Sequence, residues 1–194
     1  MRTRRILTVA AAALALTVTT QASADIWYAD YSHFHRLSFL TNGAMDNANS
    51  RQVNGNPVIL YARTNNPNQW WQHWVRDTDL AEVYYTNAGA SDYVITGHGS
   101  TGLAYGARIY VHQYAPFQQN NQRWYPARYN SGNGSACALD PNIPRADLFC
   151  TAYLSVVSTN MCIDDPNSTN QSGTQYWAYG CNGTNAQLFQ ENAA

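Results

Sequence analysis

There is no lysine in this chain of 194 residues, and charge of either sign is thin, at 12% of the sequence. Its 11 basic residues are all arginines, set against 12 acidic ones. Arg2, Arg4 and Arg5 lie within the first few positions, so the rest carries 8 positive against 12 negative charges, a net of −4. A weakly acidic surface offers no electrostatic footing for nucleic acid or an anionic membrane. Long apolar runs are missing beyond Val18, so no membrane span is expected there. Cysteines number four, with no C-x-x-C and no zinc-ligand spacing. A Gly-rich phosphate loop, a nucleophile elbow and H-E-x-x-H are all missing, which speaks against an enzyme. His33 and His35 share one face of an extended segment, but no third ligand is near and they read as solvent-facing. Neither a metal nor a cofactor is called for. No segment after the first two dozen residues carries a long helical stripe.

What is present starts with a basic opening, an apolar run from Ile6 to Val18 and the small-residue exit Ala22-Ser23-Ala24. That order reads as a secretion signal over residues 1–24. Residues 25–194 are ample for one domain with its own core. Four cysteines in a secreted chain point to two disulfides. Three pairings exist on paper. Cys137–Cys150 with Cys162–Cys181 is favoured, because each closes a short local loop.

The strongest signal is an internal repeat. Val58 to Trp71 (VILYARTNNPNQWW), Val111 to Trp124 (VHQYAPFQQNNQRW) and Tyr176 to Phe189 (YWAYGCNGTNAQLF) align without a gap over 14 residues. Each opens on β-prone residues, has a tyrosine fourth (Tyr61, Tyr114, Tyr179), and closes on Gln-x-aromatic (Gln69/Trp71, Gln122/Trp124, Gln187/Phe189). The glutamines are 53 and then 65 positions apart. The longer interval contains Asn130 to Ser135 (NSGNGS) and reads as an insertion over about 129–149, pinned by Cys137–Cys150. Elsewhere, short Tyr/Val/Ile/Thr/Trp runs alternate with Asn, Gly, Pro and Ser clusters. The chain therefore reads as all-β, with repeats of about 25–75, 76–128 and 150–194. No single unit can bury its apolar side alone, so three imply a pseudo-threefold body with Trp71, Trp124 and Phe189 in a shared core.

Three repeats ending Gln-x-aromatic, with C-x-D upstream, resemble the ricin B-like lectins, over nearly the whole mature chain. The third repeat carries the likeness most fully: Cys162-Ile163-Asp164, Gly173, Cys181-Asn182-Gly183-Thr184 and Gln187-Leu188-Phe189. The resemblance implies a single β-trefoil and supports the Cys162–Cys181 pairing. In the first repeat, Ala44-Met45-Asp46 stands where C-x-D would be and Arg63 where the second cysteine would be. Asp46 precedes Val58 by 12 positions, as Asp164 precedes Tyr176.

A sugar presents an apolar face and a ring of hydroxyls, so its site needs an aromatic platform and fixed polar partners. A carboxylate can accept two adjacent hydroxyl protons, and charged acceptors form the stronger bonds. Carried over residue by residue, the resemblance implies a complete first site: Asp46 as acceptor, Tyr61 as platform, Asn68 as amide and Gln69 as support. The second would use Tyr114, Asn121 and Gln122, with Thr96 where aspartate is wanted. The third would use Asp164, Tyr179 and Gln187, but Ala186 replaces the amide and Trp177 stands where a polar contact is common. Asp46 and Asp164 do not suit a glycosidase pair, because threefold symmetry sets them farther apart than the roughly 5 to 10 Å required. The expectation is a secreted, non-enzymatic lectin for glycans, with galactose-type ligands as the family's theme. The alternative is a cell-binding subunit of a multi-component toxin that meets a protein partner. Trp70 and Trp74, beside the core Trp71, would supply an exposed aromatic patch for that partner or else cover the barrel.

Overall fold

The computed structural model describes residues 27–38, 43–76, 83–99, 102–115, 120–129 and 150–193. The segment read as a secretion signal, residues 130–149 of the insertion, and Cys137 lie outside the described residues. The described residues form twelve strands: β1 (Trp27–Ser38), β2 (Gly43–Asn47), β3 (Asn56–Ala62), β4 (Trp71–Arg76), β5 (Val83–Asn87), β6 (Ala90–Gly97), β7 (Ile109–Gln113), β8 (Trp124–Tyr129), β9 (Cys150–Ser155), β10 (Ser158–Asp164), β11 (Trp177–Gly180) and β12 (Phe189–Ala193).

Six of them close on themselves. β1 pairs β4, β4 pairs β5, β5 pairs β8, β8 pairs β9, β9 pairs β12, and β12 returns to β1, all antiparallel. Closure leaves this ring no open edge. The other six form the hairpins β2–β3, β6–β7 and β10–β11, which cap one end. A barrel of six strands under three hairpins, built from a unit of two barrel strands and one hairpin that recurs three times along the chain, is a β-trefoil.

The hairpins are tied by a cyclic set of backbone bonds. Gly55 N–H donates to Val111 C=O (3.0 Å), Gly106 N–H to Ala178 C=O (2.8 Å) and Gly173 N–H to Leu60 C=O (2.7 Å). All three glycines have positive φ, at 82°, 78° and 92°, where a side chain is disfavoured. Each glycine therefore hooks its repeat onto the next. The cycle makes Leu60, Val111 and Ala178 equivalent.

Trp71, Trp124 and Phe189 are fully buried in one core with Met45, Leu60, Ile95, Val111, Ile163 and Tyr176. Each tryptophan spends its N–H on a carbonyl of the preceding hairpin: Trp71 on Met45 (2.9 Å) and Trp124 on Ile95 (3.2 Å). Phe189 has no donor to satisfy and packs against Tyr153 and Tyr176 at 5.5 and 5.7 Å between ring centroids. Cys162 and Cys181 are joined by a disulfide. Among the described residues, no helix is long and apolar enough to cross a membrane.

The gap-free alignment of the second repeat is corrected by this register. Tyr61 pairs Ala44 and Tyr179 pairs Cys162, but the partner of Val94, the equivalent residue of β6, is His112. The glutamines confirm the offset. Gln69 and Gln187 bond to the carbonyls of Ala62 and Gly180, each 7 residues earlier, whereas Gln122 reaches Gln113, 9 residues earlier. Two additional residues lie in the second repeat's turn. Tyr114 is therefore equivalent to Arg63 and Cys181, and it stacks on Tyr84 at 4.4 Å.

Candidate functional site

Each hairpin meets the short 3-10 turn before the barrel's closing aromatic, and in the first and third repeats a hollow forms between them. The turns are Pro67–Gln69, Asn120–Gln122 and Asn185–Gln187. Their glutamines are buried and hold the turn in one way. Besides the carbonyls above, the side-chain oxygen accepts from Thr64 N–H (2.7 Å), Ala115 N–H (3.1 Å) and Asn182 N–H (2.8 Å) respectively. The floor of each hollow is thus fixed by backbone groups that would otherwise go unpaired.

In the first repeat the hollow is a pocket of about 510 Å³ lined by Asp46, Asn49, Ser50, Ile59, Tyr61, Asn66, Pro67 and Asn68. Asp46 is almost entirely buried. Asn68 Nδ2 and Gln69 Nε2 both donate to its Oδ2, at 2.8 and 2.9 Å. The bonds to Asp46 thus converge on one oxygen, and Oδ1 keeps its accepting capacity at the pocket wall. Burial raises the carboxyl's pKa above its ordinary 3.8, and the two amide donors oppose that rise. Tyr61 is 46% exposed and supplies an aromatic wall. Asn49 and Ser50 enter from the turn after β2 in left-handed backbone, at φ 56° and 54°.

The third repeat places Asp164 in the same position and surrounds it differently. Gln187 Nε2 donates to Oδ2 at 3.0 Å, while Trp177 Nε1 donates to Oδ1 at 2.7 Å. Both oxygens are engaged. Burial again raises the pKa, with Trp177 and Gln187 opposing and the neighbouring Asp165 adding to the rise. Asp165 itself belongs to the turn: it accepts from Thr169 Oγ1 and Asn170 N–H, both at 2.9 Å. The pocket is smaller, about 200 Å³, and Tyr105 of the second repeat forms part of its wall. Its ring lies 4.6 Å from Tyr179 and 5.7 Å from Trp177. Asn182, a candidate replacement for the missing amide, has its Oδ1 occupied by Thr184 N–H and Oγ1.

The second repeat brings Asn121 and Gln122 together but provides no carboxylate. Thr96 Oγ1 donates to Val94 C=O at 3.0 Å, and Asn121 Nδ2 donates to Gly97 C=O at 2.8 Å. Tyr114 is displaced from the platform position, and His112 occupies it. The structure therefore places Asp46, Tyr61 and Asn68 around one hollow, with Gln69 bonded to the aspartate, and Asp164 and Tyr179 around another, with Trp177 and Gln187 bonded to the aspartate.

Sequence reasoning missed Asn49, Ser50, Tyr105, Asn167 and Ser168 as pocket walls. An Asn-Ser pair three and four positions after each aspartate was a readable signal. Tyr105 had none within its own repeat, since it enters from a neighbour.

No protein-family model matches the sequence, and no curated protein matches it. Solved structures that it resembles include β-trefoil proteins and ricin B-like lectins. The earthworm R-type lectin C-half, solved with GalNAc, is 14% identical with a TM-score of 0.57, over 84% of this chain and 99% of that one. The Macrolepiota procera ricin B-like lectin, solved with lactose, is 14% identical with a TM-score of 0.58, over 90% and 100%. A mosquitocidal holotoxin is 12% identical with a TM-score of 0.67, over 84% of this chain and 17% of that much longer one. At these identities the likeness establishes the β-trefoil fold.

Proposed function

We propose that this chain is a secreted, non-enzymatic carbohydrate-binding protein whose principal site is the first-repeat pocket. Residues 1–24 direct secretion, and residues 25–194 form the trefoil, with repeats of about 25–75, 76–128 and 150–194 and an insertion over 129–149. The observation that carries the reading is Asp46: a buried carboxylate whose Oδ2 is held by two amides and whose Oδ1 is left to accept. Tyr61 offers the ring that an apolar sugar face stacks on. Asn68 and Gln69 fix the carboxylate in place before any ligand arrives, which limits the ordering cost of binding. Galactose-type glycans are the ligand class, supported by the GalNAc and lactose bound by two similar structures. The third repeat is a weaker site, because Trp177 already donates to one oxygen of Asp164 and Gln187 to the other.

A glycan array of residues 25–194, produced under oxidising conditions, tests this, with Asp46→Ala and Asp164→Ala alongside. A related set of glycans bound by the parent and lost chiefly in Asp46→Ala is expected. A folded protein that binds no glycan would refute the reading. The likeness to a mosquitocidal holotoxin, with Trp70 and Trp74 lining a surface hollow, favours a second reading: the cell-binding subunit of a multi-component toxin. Stable association with a larger catalytic chain, unaffected by Asp46→Ala, would support it.

A further inference from the structure

A second hollow of about 420 Å³ adjoins the Asp46 pocket at the junction of the first two repeats, and Pro67 belongs to the walls of both. Its chemistry differs from that of its neighbour. Trp70 and Trp74 give it aromatic surface, while Gln72, Thr86 and Ser91 give it neutral polar groups. None of the described residues lining it is charged. Trp74 is stacked on Tyr84 at 5.6 Å with the rings nearly parallel, and its N–H donates to Thr86 Oγ1 at 3.0 Å. Both indole and hydroxyl are therefore held in one orientation.

The two hollows share a rigid floor. Asn87 Nδ2 donates to Asn68 C=O at 2.9 Å, and Asn47 Nδ2 donates to Asn87 Oδ1 at 3.3 Å. Asn87 lines the second hollow and Asn68 the first, so this bond ties one wall to the other. Symmetry makes the arrangement informative. The positions of Trp70 and Trp74 fall to Arg123 and Ala127 in the second repeat, and to Leu188 and Asn192 in the third. The aromatic pair thus adjoins the repeat whose aspartate receives both of its bonds on a single oxygen.

We propose that the Trp70–Trp74 hollow is a second carbohydrate subsite, continuous across Pro67 with the Asp46 pocket, so that the first repeat binds an oligosaccharide rather than a single sugar. This rests on the reading of Asp46 as a sugar acceptor. A terminal residue sits on Asp46 and Tyr61, and the next residues lie along the tryptophans, where apolar ring faces stack and neutral amides and hydroxyls pair with sugar hydroxyls. The lack of charge fits a neutral glycan.

The test is calorimetric titration of the parent protein and three variants with free galactose, lactose and a galactose-terminated tetrasaccharide. The parent should bind the tetrasaccharide about tenfold more tightly than galactose. Trp70→Ala should erase that gain and leave galactose affinity within about twofold. Ser91→Arg, at an exposed strand position on the same wall, should erase it too, so the outcome does not depend on one core-adjacent substitution. Equal affinity for the three sugars in the parent, or a gain that survives both variants, overturns the extended site while Asp46→Asn still abolishes galactose binding. Failure of every sugar to bind overturns the extended site together with the reading of Asp46.

Discussion

The first and third repeats hold their aspartates at the same point of equivalent hairpins, yet the two carboxylates distribute their bonds differently. Asp46 receives both of its bonds on Oδ2, from Asn68 and Gln69. Asp164 receives one on each oxygen, from Gln187 and Trp177. The platforms diverge in parallel. Tyr105 leans over Tyr179 in the third repeat. In the first, the residue one position before the tying glycine is Ser172, next to Gly173, which bonds to Leu60 beside Tyr61. A tyrosine in one place and a serine in the other leaves Tyr61 open and Tyr179 covered. The exposure of each platform in this symmetric fold is thus set by what a repeat receives from its neighbour, as well as by its own motif. The disulfide follows the opposite allocation: the third repeat has it, and the first manages with Ala44 and Arg63 at the corresponding positions.

The sharpest way to break this comparison is at the carboxylate. Asp46→Asn keeps the volume and an oxygen for Asn68 and Gln69 but removes the charge, and should weaken sugar binding about a hundredfold. Asp164→Asn should change total binding less than twofold. Titration calorimetry on the pair separates them, and equal losses would erase the distinction between the repeats. Replacing Cys162 and Cys181 together by serine opens a loop with a sequence separation of 19 and should cost about 3 kcal/mol of stability in urea unfolding. Affinity at the first repeat should not change.

Exchanging the covers is subtler. Tyr105→Ser with Trp177→Phe should expose Tyr179 and free Asp164 Oδ1, raising third-repeat binding about tenfold at a stability cost near 1 kcal/mol. Ser172→Tyr should lower first-repeat binding by a similar factor. The pH response is the mildest effect. On the proposed reading, sugar binding needs Asp46 ionised, and burial raises its pKa above 3.8. Affinity should therefore fall on acidification at a pH above the ordinary carboxylate range. The stability sign is the reverse. A carboxyl whose folded pKa is raised is more easily protonated in the folded state, so this group adds stability as pH falls through that pKa, and removes it as pH rises. Affinity lost without a fall in melting temperature in that window is the expected signature.

The trefoil was legible because the repeat is carried by residues with fixed structural duties. Each glutamine bonds the same turn backbone, and each closing aromatic fills the same core, so their spacing reports the fold. The grouping of Asp46 with Tyr61, Asn68 and Gln69 was legible for a related reason: all four come from one repeat, and the third repeat sets its aspartate, tyrosine and glutamine at the same spacings. The second repeat was misread by two residues. Tyr114 offered an aromatic match at the wrong strand position, and the lengthened turn before Gln122 hid the slip. Gly106 was the better guide, since it stands three residues before Ile109, as Gly55 stands before Val58 and Gly173 before Tyr176. The closed state of the third site was not legible. It depends on Trp177 turning its N–H to Asp164 and on Tyr105 arriving from another repeat, and both are contacts across strands that linear spacing does not encode.

The most direct measurement is a crystal structure of residues 25–194 soaked with the best-binding glycan from the array. The expected result is a sugar ring stacked on Tyr61 with a hydroxyl donating to Asp46 Oδ1, and weaker or no occupancy at Asp164. Density centred on Asp164 and Tyr105, with the Asp46 pocket empty, would contradict it.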